Sequence, residues 1–113
     1  MTLQEITNAI QGNVCLGEAR LSENVEYAFA SDLMSDVLTL KETPLLITGL
    51  CNPQTIRTCD MACIDYLIIC KNKKPTEEML ELAKENDMVV ITSEHSMFKV
   101  CGLLYAAGLK PIN

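Results

Sequence analysis

Residues 66–91 read YLIICKNKKPTEEMLELAKENDMVVI, and how this stretch divides decides the fold. YLIIC (66–70) is apolar throughout, as expected of a strand covered on both faces. KNKKP then breaks the apolar run, and Thr76 stands where a helix N-cap belongs, with Glu77 and Glu78 placed favourably in the first turn. The helix is predicted to reach about Asn86, with Met79, Leu82 and Ala83 on its inner stripe. MVVI (88–91) is a second apolar strand. Strand, helix and strand with short links make a parallel crossover unit.

The same rhythm continues on both sides. Upstream, LLIT (45–48) is a short apolar strand, and Asn52–Pro53 is a helix start with Asn as cap and Pro at the first helical position. That helix should run to about Ile64 and bury Ile56, Cys59 and Cys63. Downstream, TSEHS (92–96) supplies a cap for a last helix from about Glu94 to Ala107. Gly108 falls at the C′ position, and Pro111 follows three residues later. Strand starts near Leu45, Tyr66 and Met88 lie 21 and 22 residues apart, which predicts a mostly parallel sheet.

The first 44 residues are less regular. TLQEITNAI predicts a short amphipathic helix using Leu3, Ile6 and Ile10, and VCLG and residues 25–30 read as strands. Gly12 and Gly17 have phosphate-loop spacing, but Glu18 and Ala19 stand where such a loop needs Lys and Ser or Thr. The segment YAFASDLMSDVL (27–38) places Asp32 and Asp36 four residues apart, on one face of a helix LMSDVLTL whose apolar stripe is Leu33, Val37 and Leu40. No nearby His or third carboxylate completes a metal site. Helix capping by Ser31 or Asp32 is the favoured reading, and ligand contact is the alternative.

With 113 residues the chain suits one domain, residues 1–113, with a single core. A formal charge of −6 disfavours binding a nucleic-acid backbone. No run approaches the ~18 apolar residues of a membrane span, and MTLQEITNAI has no basic, apolar leader pattern, so a cytoplasmic location is expected. The six cysteines (Cys15, Cys51, Cys59, Cys63, Cys70 and Cys101) include no C-x-x-C pair and sit in apolar segments. They read as small buried hydrophobes, with a metal or redox role as the alternative. No cofactor motif is present, and one histidine, His95, is a thin basis for catalysis, so the domain is read as non-enzymatic.

In a parallel βα sheet the strand C-termini and helix N-termini share one rim, where N–H groups favour anions. Three loops are predicted to meet there, and they carry the candidate ligand-binding residues: Thr48, Cys51 and Asn52; Lys71, Lys73 and Lys74; Thr92, Ser93 and His95. The lysine group is the basic cluster of an acidic chain. It is either a solvated surface or the seat of a phosphate-bearing ligand, such as an adenine nucleotide or a phosphorylated metabolite.

The runs SDLMSDVL, LLITGLCNPQ and YLIICKNKKPTEEMLELAKENDMVVITSEHSMFKVCGLLYAAGL resemble the DRTGG domain family and, more distantly, the N-terminal domain of HPr kinase/phosphorylase. The resemblance implies a three-layer α/β/α fold and a regulatory or assembly role. Such domains occur alone or appended to enzymes, including phosphotransacetylases and certain inorganic pyrophosphatases, and contribute to dimer interfaces. The chain departs from the pattern twice. SENVEYAFA lacks the family's Arg and paired glycines, and GLCNPQ has Cys51 and Asn52 where relatives commonly carry His. The kinase half of HPr kinase has no counterpart, so phosphoryl transfer gains no support. A homodimer is expected, because Met97, Phe98, Val100, Cys101, Leu103, Leu104 and Tyr105 spread around most of the last helix. Docking onto a metabolic enzyme is the other interaction this reading allows.

Buried, reduced cysteines have a measurable signature. All six thiols are expected to titrate after anaerobic denaturation without reductant, and elemental analysis is expected to find no stoichiometric zinc or iron.

Overall fold

The computed structural model describes residues 1–112. Six strands form one sheet: β1 (Asn13–Leu16), β2 (Tyr27–Ala30), β3 (Leu45–Thr48), β4 (Tyr66–Ile69), β5 (Val89–Thr92) and β6 (Lys110–Pro111). Five helices accompany them: α1 (Leu3–Ala9), α2 (Met34–Leu38), α3 (Pro53–Met61), α4 (Glu77–Glu85) and α5 (Met97–Ala106). The strand order is β1-β5-β4-β3-β2-β6, parallel except for β1, which runs antiparallel to β5.

Alternation along the central strands creates the layers. Leu45, Ile47, Ile68, Val89 and Ile91 point to one face and pack with Leu3, Ile6 and Ile10 of α1 and Val100 and Leu104 of α5. Leu46, Leu67, Ile69 and Val90 point to the other, against Val37 of α2, Ile56 and Cys59 of α3, and Met79 and Ala83 of α4. Successive side chains of a strand face opposite ways, so a strand apolar at every position needs helices on both sides. The three-layer α/β/α arrangement follows. Among the described residues no helix is long and apolar enough to cross a membrane.

Helix starts match their caps. The Asn52 and Thr76 side chains accept from Thr55 N and Met79 N, and Thr2 forms a capping box with Glu5. Helix ends are more uniform than the sequence implies. After α1, α3, α4 and α5, the C′ residues Gln11, Cys63, Asp87 and Gly108 all take positive φ. The next amide reaches back five residues in each case: Gly12 to Thr7, Ile64 to Cys59, Met88 to Ala83 and Leu109 to Leu104. These are Schellman ends, and only Gly108 is the residue that advertises one.

Several expectations need correcting. Cys63 is exposed rather than buried, because α3 stops at Met61 and Cys63 becomes the left-handed C′ residue. The helix of LMSDVLTL shrinks to five residues, too short for an i, i+4, i+7 stripe. Val37 is buried within it, whereas Leu33 and Leu38 are 57% and 47% exposed. Neither Ser31 nor Asp32 is its N-cap; that position is Leu33, which has no side-chain cap bond. α5 begins at Met97 with Ser96 as cap, three residues beyond Glu94. β6 is an addition, since residues 110–111 pair in parallel with Tyr27 and Ala28 where only a helix stop was foreseen.

Gly17 tests how tightly β1 returns along the sheet. Its φ is +93°, and an added Cβ would lie 2.8 Å from the Val89 Cγ2 and 2.9 Å from the Val89 Cα. Gly17→Ala is therefore expected to lower unfolding stability by at least about 1 kcal/mol in denaturant titration.

Candidate functional site

The C-terminal ends of β3, β4 and β5 open onto one rim, as expected of a parallel sheet. Because β1 is antiparallel, its N-terminal end and the α1–β1 turn reach the same rim. A cleft of about 420 Å³ lies there, between Gln11 and Asn13 on one side and Asn72–Pro75 and Thr92–Glu94 on the other. Cys15 and Leu80 complete its wall.

Of the residues singled out from the sequence, Lys73, Lys74, Thr92 and Ser93 line this cleft. Lys74 is exposed and makes no ion pair among the described residues. Lys73 donates from Nζ to the Gly49 carbonyl, so it bridges two loops at the cleft edge. Thr92 is half-buried, with its hydroxyl 3.5 Å from the Asn13 carbonyl. Ser93 is buried and donates to the Ile10 carbonyl at 2.9 Å, which makes it a tie between loop and α1 rather than a free donor.

Thr48, Cys51, Asn52, Lys71 and His95 do not line the cleft. Thr48 is fully buried, and its hydroxyl donates to Asp32 and accepts from Leu50 N. The Asn52 side chain caps α3. The Cys51 thiol lies 3.9 Å from the Met79 sulfur, and burial raises its pKa. Lys71 and Asn72 are consecutive residues at φ 69° and 56°, and their amides donate to the His95 and Ser93 carbonyls. His95 Nε2 pairs with Gln11 Oε1, so the imidazole holds a cleft residue from behind.

The rim differs electrostatically from its sequence reading. The starts of α3, α4 and α5 are each capped by a side chain, Asn52, Thr76 and Ser96, which satisfies part of the N–H array that was expected to face an anion. The later start of α5 also carries its N-terminus beyond Thr92 and Ser93. The charged and amide side chains that line this cleft are Lys73, Lys74, Glu94, Gln11, Asn13 and Asn72. Sequence reasoning missed Gln11, Asn13, Cys15 and Asn72, because only the antiparallel β1 and the paired left-handed residues bring them to the rim. Gln11–Gly12–Asn13, polar and glycine-containing between two apolar segments, was the available signal.

Asp32 has a role that spacing from Asp36 did not reveal. Its Oδ1 accepts from Gly49 N at 2.7 Å and from the Thr48 hydroxyl at 3.0 Å. The Gly49 amide first, then Thr48 and the charges of Lys71 and Lys73, hold its pKa below the usual range. It organises the turn after β3. The thiols offer no ligand set: among the described residues no three His, Cys, Asp or Glu side chains cluster to hold a metal. Burial pushes Cys59 and Cys70 up to about 12, against the thiolate that ligation or redox chemistry needs.

Layers and rim together define an α/β/α domain with a polar cleft at the C-terminal edge of its sheet. The DRTGG domain profile matches residues 5–107, and the chain belongs to the DRTGG domain family. A crystal structure of the CBS and DRTGG domains of the regulatory region of Clostridium perfringens pyrophosphatase, complexed with the activator diadenosine tetraphosphate, has a similar fold. Its TM-score is 0.72 at 20% identity, covering 91% of this chain and 45% of that one. The chain thus spans less than half of that regulatory region. No curated protein matches the chain.

A depressed carboxylate contributes stability above its unfolded pKa, and that contribution is lost as pH falls through the folded one. Asp32→Ala is expected to cost about 1 kcal/mol at neutral pH, from the lost bonds to Gly49 and Thr48. Urea titrations across the acid range are expected to show the gap from wild type closing as Asp32 protonates.

Proposed function

We propose that this domain is a non-catalytic regulatory module that senses an anionic ligand, an adenine nucleotide or another phosphorylated metabolite, in the cleft between Gln11–Asn13, Asn72–Pro75 and Thr92–Glu94. The cleft carries this reading. Its volume of about 420 Å³ is of the size that small ligands occupy. It combines Lys73 and Lys74 with the amide side chains of Gln11, Asn13 and Asn72 in a chain of net charge −6. Lysines supply charge to a phosphate, and side-chain amides have the paired donor and acceptor that a purine edge requires.

Family membership supports a regulatory role, and the pyrophosphatase region of similar fold is bound to a dinucleotide activator. Catalysis is not assigned: among the described residues the His95 ring pairs with Gln11 and makes no hydrogen bond to a hydroxyl or thiol. Such a sensor belongs in the cytoplasm, acting as a homodimer on a partner metabolic enzyme. A dimerisation or docking module without a ligand is the second reading. Phe98 and Tyr105, 90% and 70% exposed on α5, favour it.

Ligand entry must compete with the Gly49 carbonyl for Lys73, so affinity should be modest and salt-sensitive. Thermal-shift screening with ADP, ATP and diadenosine polyphosphates is expected to find a stabilising ligand. Calorimetry on the Lys73→Glu, Lys74→Glu double variant is then expected to show at least a ~10-fold weaker Kd and a flatter salt dependence. Unchanged affinity and salt dependence would remove the ligand from this cleft.

A further inference from the structure

α5 is apolar on two opposite sides. Val100 and Leu104 are buried against the sheet, while Phe98, Gly102 and Tyr105 face away from it with Cys101 alongside. The outer residues lie at i, i+4 and i+7, one stripe of a helix. A Cβ built on Gly102 meets no atom within 4 Å, so the middle of that stripe is open. Beside Tyr105 runs an apolar groove of about 160 Å³, walled by Ala30, Ile47, Leu104, Leu109 and Pro111. β6 creates this groove by carrying Pro111 alongside β2.

We propose that this face of α5 is a two-fold docking surface for a second copy of the chain, in which Phe98 of each copy seats in the groove beside Tyr105 of the other. The proposal rests on the homodimer reading above and specifies its surface. Three observations favour a second copy over a different partner. The first is self-complementarity. The protrusion and the groove lie on the same helix, about 10 Å apart along its axis, so an antiparallel α5–α5 crossing centred near Gly102 satisfies both at once. That is the geometry of an isologous interface, which closes at two copies.

The second is fit. A dry cavity of about 150 Å³ accepts a benzene ring, and the groove is of that size with walls dominated by apolar side chains. Gly102 at the crossing lets the two helices approach closely without displacing side chains. The third is area and charge. Phe and Tyr each bury about 150–250 Å². Four of them across two copies supply at least about 600 Å² toward the roughly 1,600 Å² of a standard interface, and the groove walls and Cys101 add to it. Residues 96–113 hold no Asp or Glu, and their charges are two lysines, Lys99 and, at the groove, Lys110, so α5 itself opposes no carboxylates across the crossing of two acidic chains.

Light scattering at tens of micromolar is expected to give twice the 12.5 kDa chain mass for the wild type and the monomer mass for Phe98→Glu. The underlying loss of affinity is expected to be at least about 30-fold, as for a central aromatic anchor. Phe98 is 90% exposed within one chain, so the variant is expected to keep the wild-type circular dichroism. Gly102→Cys is expected to form a disulfide-linked dimer on mild oxidation, also when exposed Cys63 is replaced by Ser. A wild-type dimer left intact by Phe98→Glu would overturn this surface while leaving the homodimer standing. A wild-type monomer would overturn both. Disruption by Phe98→Glu with no crosslink at position 102 would overturn the antiparallel crossing.

Discussion

Burial of β3, β4 and β5 on both faces is the constraint from which the rest of the molecule follows. In LLI (45–47), LII (67–69) and VVI (89–91) every side chain is at least 98% buried. Alternate residues feed two separate cores, so neither face of the sheet can meet water. Each strand must be followed by a helix that crosses back over the sheet, and right-handed crossovers distribute those helices between the faces. With the helices committed to cover, the polar residues between strand and helix are left at one edge. The cleft exists because the core leaves the loops nowhere else to go.

At that edge the loops are bound to one another more tightly than their composition implies. Asp32 holds the turn after β3 through Gly49 and Thr48, and Lys73 reaches from the next loop to the Gly49 carbonyl. Lys71 and Asn72, both left-handed, give their amides to the loop after β5, and Ser93 ties that loop to the end of α1. A left-handed backbone is costly for lysine and persists where the surroundings over-determine it. Four loops therefore behave as one unit, and a ligand that withdraws Lys73 from Gly49 acts on the turn that Asp32 organises. The absent Arg and paired glycines of the family pattern lie just before Asp32, whose hold on the turn uses its own carboxylate.

Legibility along the chain tracked whether a signal was local. Asn52–Pro53 and Thr76 are caps that act within three residues, and both helices begin where those residues place them. Gly108 marks the end of α5 for the same reason. The ends at Gln11, Cys63 and Asp87 use the same geometry without the glycine; at the last two, Ile64 and Met88 just beyond are pulled into the core and carry the backbone with them. That force is invisible in a local reading, and it is why Cys63 turns outward. At α2 the apparent stripe Leu33–Val37–Leu40 failed because tertiary packing accepts Val37 while Leu33 stays largely in solvent.

The apolar runs at 45–48, 66–70 and 88–91, their spacing and the caps between them determined the parallel sheet, the helices and the rim where Lys73, Lys74, Thr92 and Ser93 converge. These depend on periodicity and on bonds between near neighbours, which a linear chain displays directly. Tertiary structure alone decided that β1 runs antiparallel and brings Gln11 and Asn13 to the cleft, and that Asp32 serves Gly49 instead of its own helix. It also decided that Pro111 pairs with Ala28 and so walls the groove beside Tyr105. Each joins residues more than a dozen positions apart, and long-range partners are chosen by the closing of a shared core, which no short stretch of sequence contains.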